Sequence, residues 1–393
     1  ANLRPIDVDG DGKFEFVHFN GYRFMQVWSA SGRKLWRVSN SGGRLHSYRE
    51  GTHRDTIAVL DLDGDGRSDI AHCWNQGGRK VLVYRRGRDG KVIRTARLEG
   101  GATEPCQIAA FRMATTRKTL LLVAHEWRGN PDCRGNHFVD TWARTVAFDT
   151  QQRKVWATKT CDAGHYAYPL DENYDGYAEG VFVGKHLLRP DGSIKCSLGS
   201  WPTGDHVDGM TIGELDLARA GLEVVAVGRT GLAMFDPDTC RQVWRISTNV
   251  IRDPQHVALA KLDPASSLPL IVVDERSTVR RAKTFMVNGK GKVVRTSRTR
   301  VMPMQNANLD GALGVDEKIT GFGVVIDRYG AIRLGRSWYW NLRGNKTRET
   351  SRGPYPISYD RWQGFPLVFD YDRDGRDEIV QWGQSVIAIG KIN

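Results

Sequence analysis

Long hydrophobic runs are missing from this chain of 393 residues, because no apolar stretch reaches the roughly 18 residues that span a bilayer. No signal-peptide pattern stands at the N-terminus. A long Ala/Leu/Glu/Lys periodicity, typical of helical proteins, is missing as well. These absences argue against a membrane protein and against a helical fold. We therefore expect a soluble chain without a membrane partner, in a form consistent with a trimmed mature protein.

CxxC spacings are also missing, although the chain has six cysteines. Zinc knuckles need such spacings, so this class of metal site is not expected. The even number of cysteines favours an oxidised, exported protein, and we expect a secreted location, extracellular or periplasmic. The spacing leaves the pairing open among Cys73, Cys106, Cys133, Cys161, Cys196 and Cys240.

Acidic residues are fewer than basic ones, since 45 Asp and Glu residues stand against 57 Lys and Arg residues. The formal net charge is +12 and the sequence pI is near 9.5. This balance predicts an acidic partner, namely nucleic acid, an acidic polysaccharide or a membrane surface. A solvated basic face without any partner would give the same composition.

The chain contains internal repeats. The stretch DVDGDGKFEF, which begins at Asp7, recurs as DLDGDGRSDI at Asp61, DENYDGYAEG at Asp171 and DYDRDGRDEI at Asp370. Degenerate copies fill the gaps, so that a unit recurs every 45 to 60 residues or so, which is the period of a propeller blade. After most units comes a strand, a tight turn and a second strand, as in residues 27–36, 147–156, 187–196 and 234–244. This signature is typical of the outer hairpin of a four-stranded blade.

The repeats predict an all-β chain that folds as a seven-bladed β-propeller, with eight blades as the alternative. No Pro/Ser-rich linker interrupts them, so residues 1–393 are expected to form a single domain. Residues 366–392 contain only two strands, and we expect N- and C-terminal strands to complete one blade together. The fold should be monomeric.

The four acidic loops have the ligand pattern of calcium sites. In the second loop the carboxylates alternate along a tight Gly-containing turn and a further carboxylate closes the loop at its ninth position, which suits a hard cation with oxygen ligands. We expect calcium to have a structural role. In the alternative interpretation, some of the loops are Asp/Gly turns that bind no cation. The predicted ligands are Asp7, Asp9, Asp11, Glu15, Asp61, Asp63, Asp65, Asp69, Asp171, Asn173, Asp175, Glu179, Asp370, Asp372, Asp374 and Glu378.

Histidines flank the second loop, at His53 and His72. A hairpin that turns near Gly64 would bring them close together at the end away from the calcium loop. The same reasoning applied to later units places further His, Arg, Lys and Tyr residues at this end. It pairs His165 and Tyr166 with Lys185, His206 with Arg229, and His256 with Asp274 to Arg276, and it puts His125 and Arg128 at the end of a strand in the third unit.

A ring of such residues suits a polyanion. We expect few carboxylates at this end of the hairpins. This argues against a glycoside hydrolase, because that class of enzyme needs a pair of Asp or Glu residues. Uronate β-elimination needs a cation against the carboxylate, a base for the C5 proton and an acid for the leaving oxygen. Arginine, histidine and tyrosine have the chemistry for these roles.

The DxDGDG loops, the H…DLDGDGRSDIAH hairpin and GDHVDGMTIGELDLARAGLEVV resemble a group of β-propeller polysaccharide lyases. This group contains the ulvan lyases, the L-rhamnose-α-1,4-D-glucuronate lyases and, more distantly, the rhamnogalacturonan lyases. The resemblance implies that His53 and His72 carry catalysis, with Arg134, Arg229 and Tyr168 assisting. It implies cleavage of the L-rhamnose-α-1,4-D-glucuronate bond of a gum arabic type polymer or ulvan. The remaining substrate-binding candidates are His125, Arg128, Arg144, His165, Tyr166, Lys185, His206 and His256.

Three other readings remain open. A rhamnogalacturonan lyase fits the same motifs, and a lectin-like propeller would use the same loops to hold an acidic glycan without cleaving it. A nucleic-acid-binding propeller predicts basic residues scattered over an outer face. The clustering of histidines at strand ends disfavours nucleic acid.

Overall fold

A computed structural model describes residues 2–20, 24–29, 31–39, 57–77, 79–98, 106–115, 118–125, 144–160, 164, 167–199, 201, 206–262, 266–276 and 279–297. Beyond residue 297 it describes the backbone of the strands named below. The chain divides into two compact units, Ala1–Ser197 and Leu198–Asn393.

The first unit contains four antiparallel sheets of four strands, each in chain order. Sheet 1 contains β1 (Asn2–Ile6), β2 (Glu15–Asn20), β3 (Phe24–Trp28) and β4 (Lys34–Ser39); sheet 2 contains β5 (Ile57–Leu60), β6 (Asp69–Gln76), β7 (Arg79–Arg85) and β8 (Val92–Arg97). Sheet 3 contains β9 (Cys106–Arg112), β10 (Thr119–His125), β11 (Arg144–Phe148) and β12 (Lys154–Lys159); sheet 4 contains β13 (Ala167–Leu170), β14 (Gly180–Val183), β15 (His186–Leu188) and β16 (Ile194–Ser197).

The second unit contains three four-stranded sheets and one five-stranded sheet. Sheet 5 contains β17 (Gly209–Gly213), β18 (Glu223–Gly228), β19 (Gly231–Phe235) and β20 (Gln242–Ile246); sheet 6 contains β21 (Pro254–Ala260), β22 (Leu270–Glu275), β23 (Thr284–Val287) and β24 (Val293–Ser297). Sheet 7 contains β25 (Pro303–Ala307), β26 (Glu317–Thr320), β27 (Val325–Ile326) and β28 (Ile332–Arg333). Sheet 8 contains β29 (Trp338–Asn341), β30 (Lys346–Thr347), β31 (Leu367–Phe369), β32 (Glu378–Trp382) and β33 (Val386–Gly390).

The position of a strand within its sheet determines its pattern of apolar and polar residues. The second and third strands are apolar on both faces, as in β18, which reads EVVAVG and is buried along its whole length. The fourth strands alternate, as in β4, which reads KLWRVS and has exposed or half-buried residues throughout. Strands that are covered on both faces read as continuous hydrophobic runs, whereas strands with one solvated face alternate.

The cores lie between successive sheets. In the first unit Leu82 and Tyr84 of sheet 2 share one buried cluster with Leu121 and Val123 of sheet 3. In the second unit the buried residues of sheet 5 pack in the same way with those of sheet 6. Face-to-face packing of separate four-stranded sheets is the arrangement of propeller blades.

A tryptophan on the fourth strand of one sheet contacts the last turn of the following sheet. The indole nitrogen of Trp36 donates to the carbonyl of Gly87 at 2.6 Å, and that of Trp156 donates to Pro190 at 2.9 Å. In the second unit the indole of Trp244 donates to Gly289 at 2.7 Å. We call these three pairs the indole contacts. They join sheets 1 and 2, sheets 3 and 4, and sheets 5 and 6.

The all-β prediction is confirmed, and so are the outer hairpins, which are β3–β4, β11–β12, β15–β16 and β19–β20. The termini differ from the expectation. β1 pairs with β2 in sheet 1, whereas β31 to β33 pair with one another and with β29 in sheet 8. The sequence reading missed β29, whose WYWN run supplies the partner for β33.

Within the described part of the chain, no helix has the length and hydrophobicity needed to cross a membrane.

Candidate functional site

His72 lies inside the first unit, in the middle of β6. Its side chain has no exposed surface, and Ile57 is its cross-strand partner. The Nδ1 atom lies 3.3 Å from the carbonyl oxygen of Cys73, and Arg85 Nε donates to Nε2 at 3.3 Å. Burial lowers the pKa of His72 to about 3, and the charge of Arg85 adds to this. The structure therefore shows a fully buried imidazole, and its predicted catalytic role stays a prediction.

Several predicted site residues lie outside the described ranges, so their assignments stay predictions: His53, Arg128, Arg134, His165 and Tyr166. The backbone of His125 pairs with Cys106 on one side and with Arg144 on the other. Tyr168 lies on β13 opposite Phe182, and Lys185 lies in the turn between β14 and β15. Both side chains are half-buried.

Charged groups converge at one end of sheets 5 and 6, in the second unit. Arg276 Nη2 donates to both carboxylate oxygens of Asp208, at 3.1 and 3.0 Å, and its Nε lies 3.1 Å from Asp253 Oδ2. His206 Nε2 lies 3.4 Å from Asp208 Oδ1. The Asp208 side chain is 1% exposed, so its charge is compensated by Arg276 and not by water.

A histidine–aspartate pair lies beside this cluster. His256 and Asp274 are cross-strand partners, as the sequence predicted, and His256 Nδ1 lies 3.0 Å from Asp274 Oδ1. Sheet 5 closely approaches this pair, because a Cβ on Gly209 would come within 3.2 Å of the carbonyl oxygen of Gln255. The carboxylate fixes the ring so that Nε2 is the nitrogen suited to proton transfer.

Exposed arginines surround the buried groups at this end of the sheets. Arg229, Arg252, Arg280 and Arg281 are all exposed. Arg252 is held by Glu275 through Nε at 3.0 Å and Nη2 at 3.2 Å. Among the described residues no hydrogen bond or ion pair engages the side chains of the other three. We call Arg229, Arg280 and Arg281 the exposed arginines.

The prediction that this end holds few carboxylates is wrong, because Asp208, Asp253 and Asp274 lie there. Burial raises the pKa of Asp253 above its usual range, a shift that Arg276 opposes, Asp208 increases and Arg229 opposes. Asp253 also has a left-handed backbone, with φ of 45°. Such strain in a non-glycine residue often marks a functional region, and the sequence alone does not reveal it.

Three of the four acidic loops lie in the first unit, where each joins the first and second strands of its own sheet. Ligand oxygens of Asp7, Asp9 and Glu15 lie within 4.8 Å of one another, as do those of Asp61, Asp63 and Asp65. This spacing fits the oxygen shell of a calcium ion. In the third loop Gly176 N donates a hydrogen bond to Asp171 Oδ2 at 2.9 Å. The ligand oxygens of this loop are not among the two clusters. Apart from Glu378, whose backbone belongs to β32, the fourth loop lies outside the described residues.

The ninth-position carboxylates also close their loops. Glu15 accepts a hydrogen bond from Val8 N at 3.1 Å, Asp69 from Leu62 N at 3.2 Å and Glu179 from Glu172 N at 2.8 Å. Burial raises the pKa of Asp69 to about 6, against the effect of two backbone hydrogen bonds. A cation bound beside Asp69 would oppose this shift.

Cysteine chemistry agrees with the prediction of an oxidised protein. Cys73, Cys196 and Cys240 are disulfide-bonded.

These sheets and their packing define the β-propeller class of all-β folds. No protein-family model matches the chain. The chain is 26% identical over 322 residues to the rhamnogalacturonan endolyase YesW of Bacillus subtilis (strain 168), covering 66% of this chain and 49% of that protein. It is 26% identical over 321 residues to the rhamnogalacturonan exolyase YesX of the same organism, covering 66% and 50%. The chain thus spans about half the length of the curated relatives it matches.

The crystal structure of the exotype rhamnogalacturonan lyase YesX has a similar fold, with a TM-score of 0.69 at 18% identity, over 100% of this chain and 72% of that one. The sequence motifs resembled those of polysaccharide lyases, and the relatives found by comparison are enzymes of this kind. The relatives are the rhamnogalacturonan enzymes, which the sequence resemblance had placed as the more distant members.

Proposed function

We propose that this protein is a polysaccharide lyase that cleaves a rhamnogalacturonan-type polymer by β-elimination, at the end of sheets 5 and 6 that carries the exposed arginines. The observation that supports it most directly is the position of the His256–Asp274 pair beside these cations. The named activity of the two curated relatives supports the same class of reaction.

The reaction assigns a role to each kind of group. A base removes the C5 proton of the uronate, the C4–O4 bond breaks, and the leaving oxygen takes a proton, which leaves a double bond between C4 and C5. A cation against the carboxylate makes the C5 proton more acidic and stabilises the charge that develops there. An arginine suits this task because its guanidinium binds a carboxylate in a bidentate manner.

Ion pairs within the protein determine which arginines are available to bind a substrate carboxylate. Arg276 is engaged by Asp208 and Asp253, and Arg252 is engaged by Glu275. The exposed arginines are the groups left for substrate carboxylates. We assign carboxylate binding to Arg229, since it lies near enough to Asp253 to influence the pKa of that carboxyl group.

Proton transfer is assigned to His256, oriented by Asp274. This changes the role first predicted for His256, which was substrate binding. The catalytic roles predicted for His53 and His72 remain to be tested. His256 is also buried but is 7% exposed, whereas His72 is 0% exposed, and this difference favours His256. The rhamnosyl-glucuronate bond is the second candidate substrate, and the names of the relatives favour rhamnogalacturonan.

The test uses the full chain with rhamnogalacturonan, a rhamnosyl-glucuronate polymer and neutral galactan, and follows the ultraviolet absorbance of the 4,5-unsaturated uronate. We expect product from rhamnogalacturonan and none from galactan. His256→Ala should lower kcat by roughly 10² to 10⁴, the usual contribution of a positioned acid or base. Arg229→Ala should lower kcat and raise KM together.

Lys290→Ala provides the matched control, because Lys290 is an exposed cation in the turn at the opposite end of sheet 6. It should leave both constants unchanged. Product formation by His256→Ala at the wild-type rate, with a loss in His72→Asn, would transfer the catalytic role to His72. Binding of the polymer without any unsaturated product would establish the lectin-like alternative instead.

We also propose that calcium binds the first and second loops and is structural. The clustered oxygens described above support this. Calorimetric titration of the chelated chain should detect binding that Asp63→Asn weakens. Secretion is proposed on the disulfide-bonded cysteines.

A further inference from the structure

Sheet 5 has a loop in the position of the calcium loops, between β17 and β18, at residues 214–222. It closes in the same way as they do. Leu215 N donates to Glu223 Oε2 at 2.8 Å, as Val8 N donates to Glu15 and Leu62 N to Asp69. Glu223 therefore corresponds to the ninth-position carboxylate of the first two loops, although this loop is one residue longer.

The centre of this loop differs from those two. Where the second loop has Asp65 between two glycines, this loop has Arg219 between two alanines. Arg219 Nη2 lies 2.9 Å from Asp236 Oδ2, and its Nε lies 3.8 Å from Glu223 Oε1. The Glu223 side chain is 2% exposed and the Arg219 side chain 34% exposed. A cation supplied by the chain itself thus contacts the carboxylate that closes the loop.

We infer that the guanidinium of Arg219 replaces the divalent cation in this loop, so that sheet 5 folds without metal while the first and second loops require it. This inference rests on the calcium proposal for those two loops. A buried carboxylate needs a compensating charge. The guanidinium provides one in a planar fork that can bind two acidic groups at once.

The charges of the loop support this assignment. Glu214 and Asp216 belong to this loop, Glu223 begins β18, and Asp236 lies in the β19–β20 turn of the same sheet. Without Arg219 these carboxylates would lie together with no compensating cation in the loop itself. The second loop has no basic residue between Asp61 and Asp65.

This inference has a functional consequence for protein from which a chelator has removed calcium. β18 runs from this loop to Arg229 at the other end of the sheet. Because the loop holds its own cation, the strand that positions Arg229 should keep its structure when calcium is removed. Among the described loops, the requirement for calcium is then confined to those of the first unit.

The experiment compares the full-length wild type, Arg219→Ser and Arg241→Ser, each with calcium and with EDTA. Arg241 is an exposed arginine of the β19–β20 turn in the same sheet, so its replacement controls for loss of charge. Hydrogen exchange at Leu62 and Leu215 reports on the two loops separately, and thermal unfolding reports on the whole chain.

In the wild type, EDTA should speed exchange at Leu62 and leave Leu215 unchanged. Arg219→Ser should speed exchange at Leu215 at least tenfold in EDTA and lower Tm by at least about 2 °C. Arg241→Ser should match the wild type. Wild-type protection of Leu215 in Arg219→Ser with EDTA would overturn the inference, as would loss of Leu215 protection in the wild type with EDTA. If EDTA affects neither loop of the wild type, the calcium proposal fails, and exchange at Leu215 in Arg219→Ser still shows whether Arg219 holds its loop.

Discussion

Gly90 lies against the face of the Trp36 indole, so close that a Cβ on Gly90 would come 2.8 Å from Cε3 of that ring. Gly90 also has a left-handed backbone, with φ of 70°. The same relationship recurs between Gly192 and Trp156 and between Gly291 and Trp244. Only glycine meets both conditions, since a side chain would be strained and would displace the ring.

We predict that Gly90→Ala destabilises the first unit more than Gly77→Ala does. Gly77 belongs to another turn of the same sheet, has φ of 58° and has no atom within 4 Å of a built Cβ. Both changes carry the left-handed penalty of about 1 kcal/mol, and only Gly90→Ala adds about 1 to 3 kcal/mol of overpacking. Denaturant unfolding of the two variants measures the difference. Equal losses would show that Trp36 moves aside freely.

A second prediction concerns Tyr174, which takes the place of Gly10 and Gly64 in the third loop and has φ of 57°. Tyr174→Gly should be more stable than Tyr174→Ala by about 1 kcal/mol, because both remove the ring and only glycine relieves the backbone strain. Thermal unfolding of the pair provides the measurement. An alanine variant as stable as the glycine variant would mean that the loop relaxes.

The third prediction tests the bidentate pair of Asp208 and Arg276. Arg276→Met should destabilise the second unit by about 3 to 5 kcal/mol, because it leaves a buried carboxylate without its cation. Adding Asp208→Asn to that variant should restore part of the loss. Unfolding of the two single variants and the double variant gives the coupling energy. A double variant whose loss equals the sum of the two single losses would mean that Asp208 and Arg276 are independent.

A fourth prediction concerns pH. Burial lowers the pKa of His18 from 6.5 to about 4 in the folded chain. The unfolded chain therefore binds the proton first, so stability should fall as the pH drops from about 6.5 towards about 4, and change no further below that. His18→Gln removes this one contribution, which has a slope of up to about 1.4 kcal/mol per pH unit. The free energy of unfolding across this pH range should be less steep in the variant than in the wild type. Identical slopes would mean that folding leaves the pKa of His18 unchanged.

Strand positions could be predicted because alternation and tight turns are local properties. The approximate register of the second hairpin was predicted in the same way, but Ile57 is the residue that lies opposite His72. His53 precedes Ile57 by four residues and lies outside the described residues, so its distance from His72 stays a prediction. A buried neutral histidine and a catalytic one look alike in a sequence, because burial depends on the neighbouring sheet.

The partners of the site cations could not be predicted for a similar reason. Asp208 and Arg276 are 68 residues apart in the chain, and only the packing of two sheets brings them together. Asp208 within GDHVDGM looks like a turn residue when the sequence is read alone. His256 and Asp274 were predicted as opposite residues, because they belong to a single hairpin.

The indole contacts have a consequence for how the chain is synthesised. Trp36 leaves the ribosome well before Gly87, and Trp156 before Pro190, so each indole must wait for the acceptor that the next repeat supplies. A nascent chain that stops between two repeats presents an apolar ring with an unpaired donor to solvent. Such intermediates are the species that chaperones recognise, and truncation within the first unit should therefore yield aggregates in preference to a smaller folded protein.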